Sequence, residues 1–170
     1  MRIGQGFDIH PFSSDESRRL ILGGVYFEGE RGLVGHSDSD VVAHAITDAI
    51  LGAAGLGDIG ELYPDTSAEF HNADSMVLLG DAARRVMAAG FSIINVDCTV
   101  ICEAPKLASR KQAMRENLSQ VLGSPCNIKG KRAEGLGALG RREGIACMAV
   151  ALVSHNGGPA SAADNFGGST

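Results

Sequence analysis

The stretch from residue 36 to residue 50 constrains the fold most, because it joins an apolar helical stripe to a face of ionisable side chains. The stripe consists of apolar residues at helical spacing: Val41, Ala45, Ile46, Ala49 and Ile50. We expect a helix over 38–53 that is capped by Ser37 or Asp38, since a short side-chain oxygen there can accept the free amides of the first turn.

The polar side of this predicted helix carries Asp40, His44 and Asp48, which lie four residues apart and are expected to share one face. Burying such a face is costly unless it binds something, so His44 is a candidate metal ligand. A solvent-exposed helix with an incidental histidine is the alternative, and this stretch alone leaves both interpretations open.

Residues 2–10 alternate in the manner of a strand, with one side formed by Gly4, Gly6, Asp8 and His10. With His44, the last two offer one carboxylate oxygen and two imidazole nitrogens. Three such ligands with an open fourth position are typical of a catalytic divalent site, for which Zn²⁺ is the first choice and Mn²⁺ or Fe²⁺ are possible. The alternative is that Asp8 and His10 are an unrelated pair on an edge strand.

The rest of the chain alternates between strand and helix patterns, which predicts an α/β (α+β) fold with one layer of helices on a single mixed sheet. The expected elements are a hairpin at Gly23-Gly24, a mobile loop over 56–66, a helix from Asp74 or Ser75 to 89, a strand over 91–101, a helix from Pro105 to 122, a strand over 126–129, a loop over 130–144 and a strand over 145–153. We expect a single catalytic domain over 1–154 and a disordered tail over 155–170.

The overall charge and the cysteines narrow the class of protein. A net charge of −5 argues against nucleic-acid binding, which favours a basic surface. No apolar run has a membrane-spanning length, and we expect no signal peptide after Met1. The four cysteines form no Cys-x-x-Cys pair, so we expect a cytoplasmic enzyme with reduced thiols.

A second chemical feature is a basic, glycine-rich segment over 129–142. Its five basic residues are Lys129, Lys131, Arg132, Arg141 and Arg142. Exposed glycine amides and cationic side chains favour phosphate binding, and Glu134 among them is a candidate ligand for a harder cation such as Mg²⁺. A solvated basic loop is the alternative. His36 and Ser37, at the predicted helix N-terminus, favour an anion or serve in simple capping.

Five motifs occur in order along the chain: Gly4-Gln-Gly-Phe-Asp-Ile-His, Gly35-His-Ser-Asp-Ser-Asp-Val-Val-Ala-His-Ala-Ile-Thr-Asp-Ala, Leu56-Gly-Asp-Ile-Gly with Pro64-Asp-Thr, Asn95-Val-Asp-Cys-Thr-Val with Ala104-Pro-Lys, and Gly140-Arg-Arg-Glu-Gly-Ile-Ala. In these motifs the chain resembles the 2-C-methyl-D-erythritol 2,4-cyclodiphosphate synthase family of the non-mevalonate isoprenoid pathway, over roughly residues 1–154. Five linked motifs are far more specific than any one alone.

The resemblance implies a homotrimer of α/β subunits whose sheets face the threefold axis and whose active sites are shared between neighbours. It implies a cytidylyl substrate, Zn²⁺ on Asp8, His10 and His44, and Mg²⁺ or Mn²⁺ on Glu134. The catalytic positions would be His36 and Arg132, the latter as a stabiliser of the transition state.

The resemblance also implies a set of substrate-binding residues from several segments of the chain. Residues 58–60 and 63–67 would close over the erythritol and phosphate, while 102–108 would form the cytidine pocket of the adjacent subunit. The full set is Asp8, Ile9, His10, His36, Ser37, Asp58, Ile59, Gly60, Tyr63, Pro64, Asp65, Thr66, Ser67, Cys102, Glu103, Ala104, Pro105, Lys106, Leu107, Ala108, Lys131, Arg132, Ala133, Glu134, Ala138 and Arg141.

The chain departs from the family pattern in three places. Lys131-Arg132-Ala133 stands where threonines are usual, Ala138 replaces an aromatic residue, and Ser67 replaces an aspartate. The change at Ala138 weakens any isoprenoid-binding role of a central trimer cavity. Two other classes stay open from the residues: a metal-dependent phosphatase or phosphodiesterase that activates water, and a non-enzymatic binding protein with a structural metal.

Overall fold

A computed structural model describes residues 1–157 of the chain. Its elements are β1 (Arg2–Pro11), β2 (Arg19–Leu22), β3 (Val25–Arg31), α1 (Val41–Ala54), α2 (Ile59–Leu62), a 3₁₀ turn (Ala68–Phe70), α3 (Ser75–Ala88), β4 (Phe91–Ile101), α4 (Lys111–Leu122), β5 (Cys126–Lys131), α5 (Gly137–Gly140) and β6 (Gly144–His155). Four strands form one sheet in the order β1-β6-β4-β5, in which only β4 and β5 run parallel, and β2 pairs with β3. The predicted mixed sheet and α/β class are confirmed.

Helix α1 lies directly on strands β1 and β6 because two glycines of β1 leave no side chain between the backbones. A Cβ atom built on Gly4 would lie 1.9 Å from the carbonyl oxygen of Ala49, and one on Gly6 would lie 1.9 Å from that of Ala45. Only glycine therefore allows this approach. The close packing brings the polar end of β1 next to the middle of α1.

The opposite face of the sheet is uncovered within residues 1–157 and is largely apolar. Ile3 is 72% exposed, while Phe7, Ile9, Met148 and Val150 are each about half exposed. Phe7 and Met148 are register partners, so the apolar side chains form one continuous patch across β1 and β6. An apolar patch of this kind is typical of an interaction surface.

Asp40 caps α1, and the prediction of Ser37 or Asp38 as the cap is wrong. Its buried carboxylate accepts the amides of Val42 and Ala43 in the first turn of α1, and those of Gly23 and Gly24 in the β2–β3 turn at 2.9 and 2.7 Å. Burial raises the pKa of Asp40 to about 6. Asp40 therefore joins the hairpin to the helix, and it does not share a face with His44 as the spacing suggested.

Several predicted boundaries also shift. Helix α4 begins at Lys111, not at Pro105. The buried Leu107 packs over β5, and its carbonyl accepts the amides of Arg110 and Lys111 in a turn that leads into the helix. The predicted loops over 56–66 and 130–144 contain the short helices α2 and α5, and β5 extends to Lys131.

The other elements match their predictions. The turn at Gly23-Gly24 and the capping of α3 by Asp74 are confirmed. Strand β6 continues to His155, a residue of the predicted disordered tail. Residues 158–170 of that predicted tail lie outside the described residues. None of the helices over 1–157 combines the length and the apolar character that crossing a bilayer requires.

Candidate metal centre and ligand clefts

Asp8, His10 and His44 converge at the junction of β1 and α1. His10 Nε2 lies 3.0 Å from Asp8 Oδ2, His44 Nδ1 lies 3.0 Å from the same oxygen, and the two nitrogens are 3.3 Å apart. Among residues 1–157, this is the one trio of histidine, cysteine and acidic side chains with donor atoms close enough to hold an ion. The predicted meeting of strand and helix ligands is therefore confirmed, and the three side chains fit a divalent metal.

The ring of His10 is oriented by the backbone. Its Nδ1 lies 2.7 Å from the carbonyl oxygen of Val34, which can only accept, so Nδ1 carries the proton and donates it. The lone pair of a neutral His10 ring is then on Nε2, the atom that faces Asp8. Metal-binding histidines usually have their tautomer fixed in this way, by a hydrogen bond from the ring nitrogen that does not bind the metal.

The ring of His44 is oriented by hydroxyl groups. Its Nε2 lies 2.8 Å from Ser75 Oγ and 3.1 Å from Ser37 Oγ. Ser75 in turn donates its hydroxyl proton to Asp38 Oδ1 at 2.5 Å, so its oxygen is free to accept from His44. Nδ1 of His44 is thereby left with its lone pair towards Asp8, and both histidines present the donor atom that a cation requires.

The charges at the centre are strongly coupled. Burial raises the pKa of Asp8, but hydrogen bonds and charge from His10 and His44 outweigh this and hold it below its usual range. Burial lowers the pKa of His10, and the hydrogen bond and charge of Asp8 outweigh that and raise it. The carboxylate thus favours a positive charge beside it, which a proton or a metal ion can supply.

Replacing Ser75 with alanine is expected to weaken metal binding about 10- to 100-fold, the usual effect of losing a hydrogen bond that orients a metal ligand. The reason is that His44 Nε2 loses its shorter hydroxyl partner and the ring becomes free to turn. Competition with a chelator of known affinity measures the change. Ser92→Ala is the matched control, because Ser92 pairs with Ser154 at the other end of the sheet and bonds Asn156. Equal affinities of the two variants would contradict the role of Ser75.

A cleft of about 400 Å³ opens beside the three ligands. The predicted site residues that line it are Asp8, His10, His36, Ser37, His44, Ile59, Gly60, Tyr63, Pro64 and Asp65. Phe70 and Leu78 also line it, although no motif or spacing in the sequence indicates either residue. The side chain of Ile9 belongs instead to the uncovered face of the sheet.

The wall of this cleft over residues 58–70 is tied to the body of the protein by three hydrogen bonds. The amide of Ile59 donates to Asp48 Oδ1 at 2.8 Å, and Tyr63 OH donates to Asp81 Oδ2 at 2.8 Å. His36 Nε2 donates to the carbonyl of Ser67 at 2.7 Å. The ring of His36 therefore orients this wall, while Asp58 caps α2 through the amide of Glu61.

A second cleft, of about 440 Å³, lies between the 102–111 segment and β5. The predicted site residues that line it are Cys102, Glu103, Pro105, Lys106, Leu107, Ala108, Lys131 and Arg132. Arg142, one of the five basic residues of the predicted phosphate-binding segment, also lines it, as does Lys111, to which the sequence analysis assigns no site. The predicted residues that line neither cleft are Ile9, Asp58, Thr66, Ser67, Ala104, Ala133, Glu134, Ala138 and Arg141.

The second cleft is strongly basic and suits a phosphorylated ligand. Its cations are Lys106, Lys111, Lys131, Arg132 and Arg142. Glu103 is the single acidic residue that the described part of the chain contributes to the lining, and it is paired with Arg132 at 2.8 Å. Arg141, the predicted phosphate contact, donates to Glu143 at 2.6 Å instead. The two clefts share no lining residue, so one chain holds the metal ligands and the basic cleft at separate places.

These features define an α/β protein with three side chains that fit a divalent metal and with a separate basic cleft. The model of the YgbB family matches residues 1–154, and the chain belongs to this family. A relative from Aromatoleum aromaticum, named 2-C-methyl-D-erythritol 2,4-cyclodiphosphate synthase, is 55% identical over 159 residues, which cover 92% of this chain and 95% of that protein.

Two solved structures share the fold. The bifunctional IspDF of Campylobacter jejuni is 48% identical with a TM-score of 0.86, and the match covers 91% of this chain and 42% of that one. The present chain thus spans less than half of that bifunctional protein. A structure described as a CDP complex of IspF from Plasmodium falciparum is 37% identical with a TM-score of 0.78, and covers 91% and 96% of the two chains.

Proposed function

We propose that this protein is a lyase that converts 4-diphosphocytidyl-2-C-methyl-D-erythritol 2-phosphate into 2-C-methyl-D-erythritol 2,4-cyclodiphosphate and CMP, a step of the non-mevalonate isoprenoid pathway. The observation that carries the proposal is the convergence of Asp8, His10 and His44 in a chain 55% identical to relatives named for this product. The proposal places the step in the cytoplasm, which the four free cysteine thiols support.

The reaction needs no nucleophilic side chain, because the attacking group belongs to the substrate. An ionised oxygen of the 2-phosphate forms a bond to the β-phosphorus, and the bond from that phosphorus to the bridging oxygen of CMP breaks, with the electron pair leaving on CMP. In water the reaction is limited by the separation and repulsion of two anions. Holding both ends of the substrate in place can contribute about 7–11 kcal/mol.

The first cleft is suited to the methylerythritol and its phosphates. Ser37 and His36 lie at the N-terminal side of α1, and the backbone of Ile59 and Gly60 forms the facing wall. Asp8, His10 and His44 would hold Zn²⁺, the ion that two imidazoles and a carboxylate favour, and Glu134 would hold Mg²⁺ or Mn²⁺. These cations would supply neutralisation of the phosphate charges and electrostatic stabilisation of the leaving group.

The second cleft is suited to the cytidylyl group of the substrate, and this assignment includes a homotrimer. In the proposed assembly the sheets face the threefold axis, and the second cleft of one subunit completes the metal cleft of its neighbour. Two observations support it: the apolar uncovered face around Phe7 and Met148, and the absence of shared lining residues between the clefts over residues 1–157. Light scattering should give three times 17.6 kDa, and a monomer mass would contradict the shared site.

Phosphorus NMR of the products tests the proposed reaction. The protein is incubated with the cytidylyl substrate, Zn²⁺ and Mg²⁺, and the expected products are the cyclic diphosphate and CMP in equal amounts. Hydrolysed, non-cyclic phosphates would identify a phosphodiesterase or phosphatase that activates water at the same ligands. Absence of CMP release would identify a binding protein with a structural metal. A sample treated with a chelator controls for metal-independent breakdown of the substrate.

A further inference from the structure

The turn over residues 133–136 has an unusual backbone. Leu136 N donates to the carbonyl of Ala133 at 2.9 Å, which closes a β-turn. Both central residues are left-handed, with φ of +52° at Glu134 and +77° at Gly135. Glycine adopts this conformation easily, but a residue with a Cβ atom does so at a cost in free energy. The surrounding structure must therefore hold Glu134 in place.

One carboxylate holds this turn from both sides. Glu103 Oε2 accepts Nε and Nη2 of Arg132 at 2.9 and 2.8 Å, while its Oε1 accepts the amide of Gly135 at 3.3 Å. The guanidinium of Arg132 holds the pKa of Glu103 below its usual range, so the carboxylate stays charged at neutral pH. Glu103 lies just after β4, and the bonds therefore link the two walls of the second cleft.

We infer that Glu103 is a positioning residue, whose carboxylate clamps Arg132 and Gly135 and so fixes the turn that carries Glu134. This inference rests on the proposed function, in which Glu134 serves the diphosphate. It also changes the expected role of Arg132, whose guanidinium is already engaged by Glu103. Arg132 acts through the turn and does not itself stabilise the transition state.

Glu103→Gln is the sharpest test, because it keeps the size of the side chain and removes one acceptor. Glutamine has a single carbonyl oxygen, which the charged guanidinium of Arg132 retains as the stronger donor, so the NH₂ group must face the Gly135 amide, a second donor. We expect amide exchange at Gly135 in the metal-free and substrate-free protein to accelerate about tenfold, the usual effect of losing one hydrogen bond to a charged group. Turnover should fall by a similar factor, through kcat more than KM.

Two further variants make the test decisive. Glu116→Gln on α4 is the matched control, since within residues 1–157 the donor to this exposed carboxylate is Gln112 of the same helix, and the substitution should change neither quantity. Arg132→Ala should reproduce both effects of Glu103→Gln, because it removes two of the three clamp bonds.

Unchanged exchange at Gly135 in Glu103→Gln would overturn the inference. A loss of turnover in Arg132→Ala that is absent in Glu103→Gln would also overturn it, since Arg132 would then act on the substrate directly. Failure of the unaltered protein to form cyclic product would refute the proposed function instead, while the exchange measurement would still report on the clamp.

Discussion

Replacing His44 with alanine should remove the bound divalent ion and lower the rate of cyclic product formation by about 10³-fold or more. His44 contributes one of three converging donor atoms, and its Nδ1 lies 3.0 Å from Asp8 Oδ2. A metal ion at a reacting phosphate supplies several kcal/mol, and each 1.36 kcal/mol corresponds to about a tenfold change in rate. Metal content by mass spectrometry and single-turnover kinetics measure the two effects.

His155→Ala is the matched control for this variant. His155 ends β6 and packs against Phe91, at the opposite end of the sheet from the metal ligands. We expect its metal content and turnover to equal those of the unaltered protein. Normal turnover with unchanged metal in His44→Ala would show that the three ligands do not form the reactive centre.

Replacing Gly6 with alanine should destabilise the fold by about 3 kcal/mol or more, the upper range for overpacking a core. The added Cβ would lie 1.9 Å from the carbonyl oxygen of Ala45, a backbone atom that cannot move unless α1 separates from β1. For a protein of this size the melting temperature should fall by about 6–12 °C. Thermal and urea unfolding, followed by circular dichroism, measure the change.

Gly52→Ala separates a steric effect from the general cost of altering a glycine near α1. Gly52 lies on the exposed side of α1, and a Cβ there would meet nothing within 4 Å. Because alanine favours helix by about 1 kcal/mol over glycine, this variant should be as stable as the unaltered protein or slightly more so. Equal stabilities of Gly6→Ala and Gly52→Ala would contradict the direct contact between α1 and β1.

The metal centre could be predicted because its signals are local. Alternation in β1 places Asp8 and His10 on one face, and the apolar period of α1 places His44 on a helix that must pack against a strand. Only the contact between the two segments had to be inferred. Gly4 and Gly6 allow that contact, because they place no side chain between β1 and α1.

Other features depend on contacts between distant residues, which periodicity does not encode. Asp40 is the cap of α1 because the Gly23-Gly24 turn supplies two further amides, and nothing within 36–50 indicates this. Pro105 satisfies the rule for a first helical turn, but Leu107 packs over β5 in a turn that precedes the helix, and the helix begins at Lys111. Local rules therefore identified the elements better than their ends.

The second cleft illustrates the same limit for function. The basic residues of 129–142 were visible as a cluster, but the sequence did not show that Arg142 lines the cleft while Arg141 is engaged by Glu143. Similarly, Glu103 and Arg132 are hydrogen-bonded although they lie 29 positions apart in the sequence. The family resemblance implies each of them as an independent contact to the substrate. The charge composition predicted a basic cleft. Only the fold showed which of the basic side chains line the cleft and which pair with acidic residues elsewhere.

The contact of α1 with β1 through bare glycine backbone has a consequence for how long the protein survives in the cell. An ion on Asp8, His10 and His44 would cross-link β1 to α1. It would stabilise the native state by an amount that grows with the logarithm of the ratio of its concentration to Kd. Metal-starved cells should therefore contain less of this protein, since the ion-free form would unfold and be degraded more often.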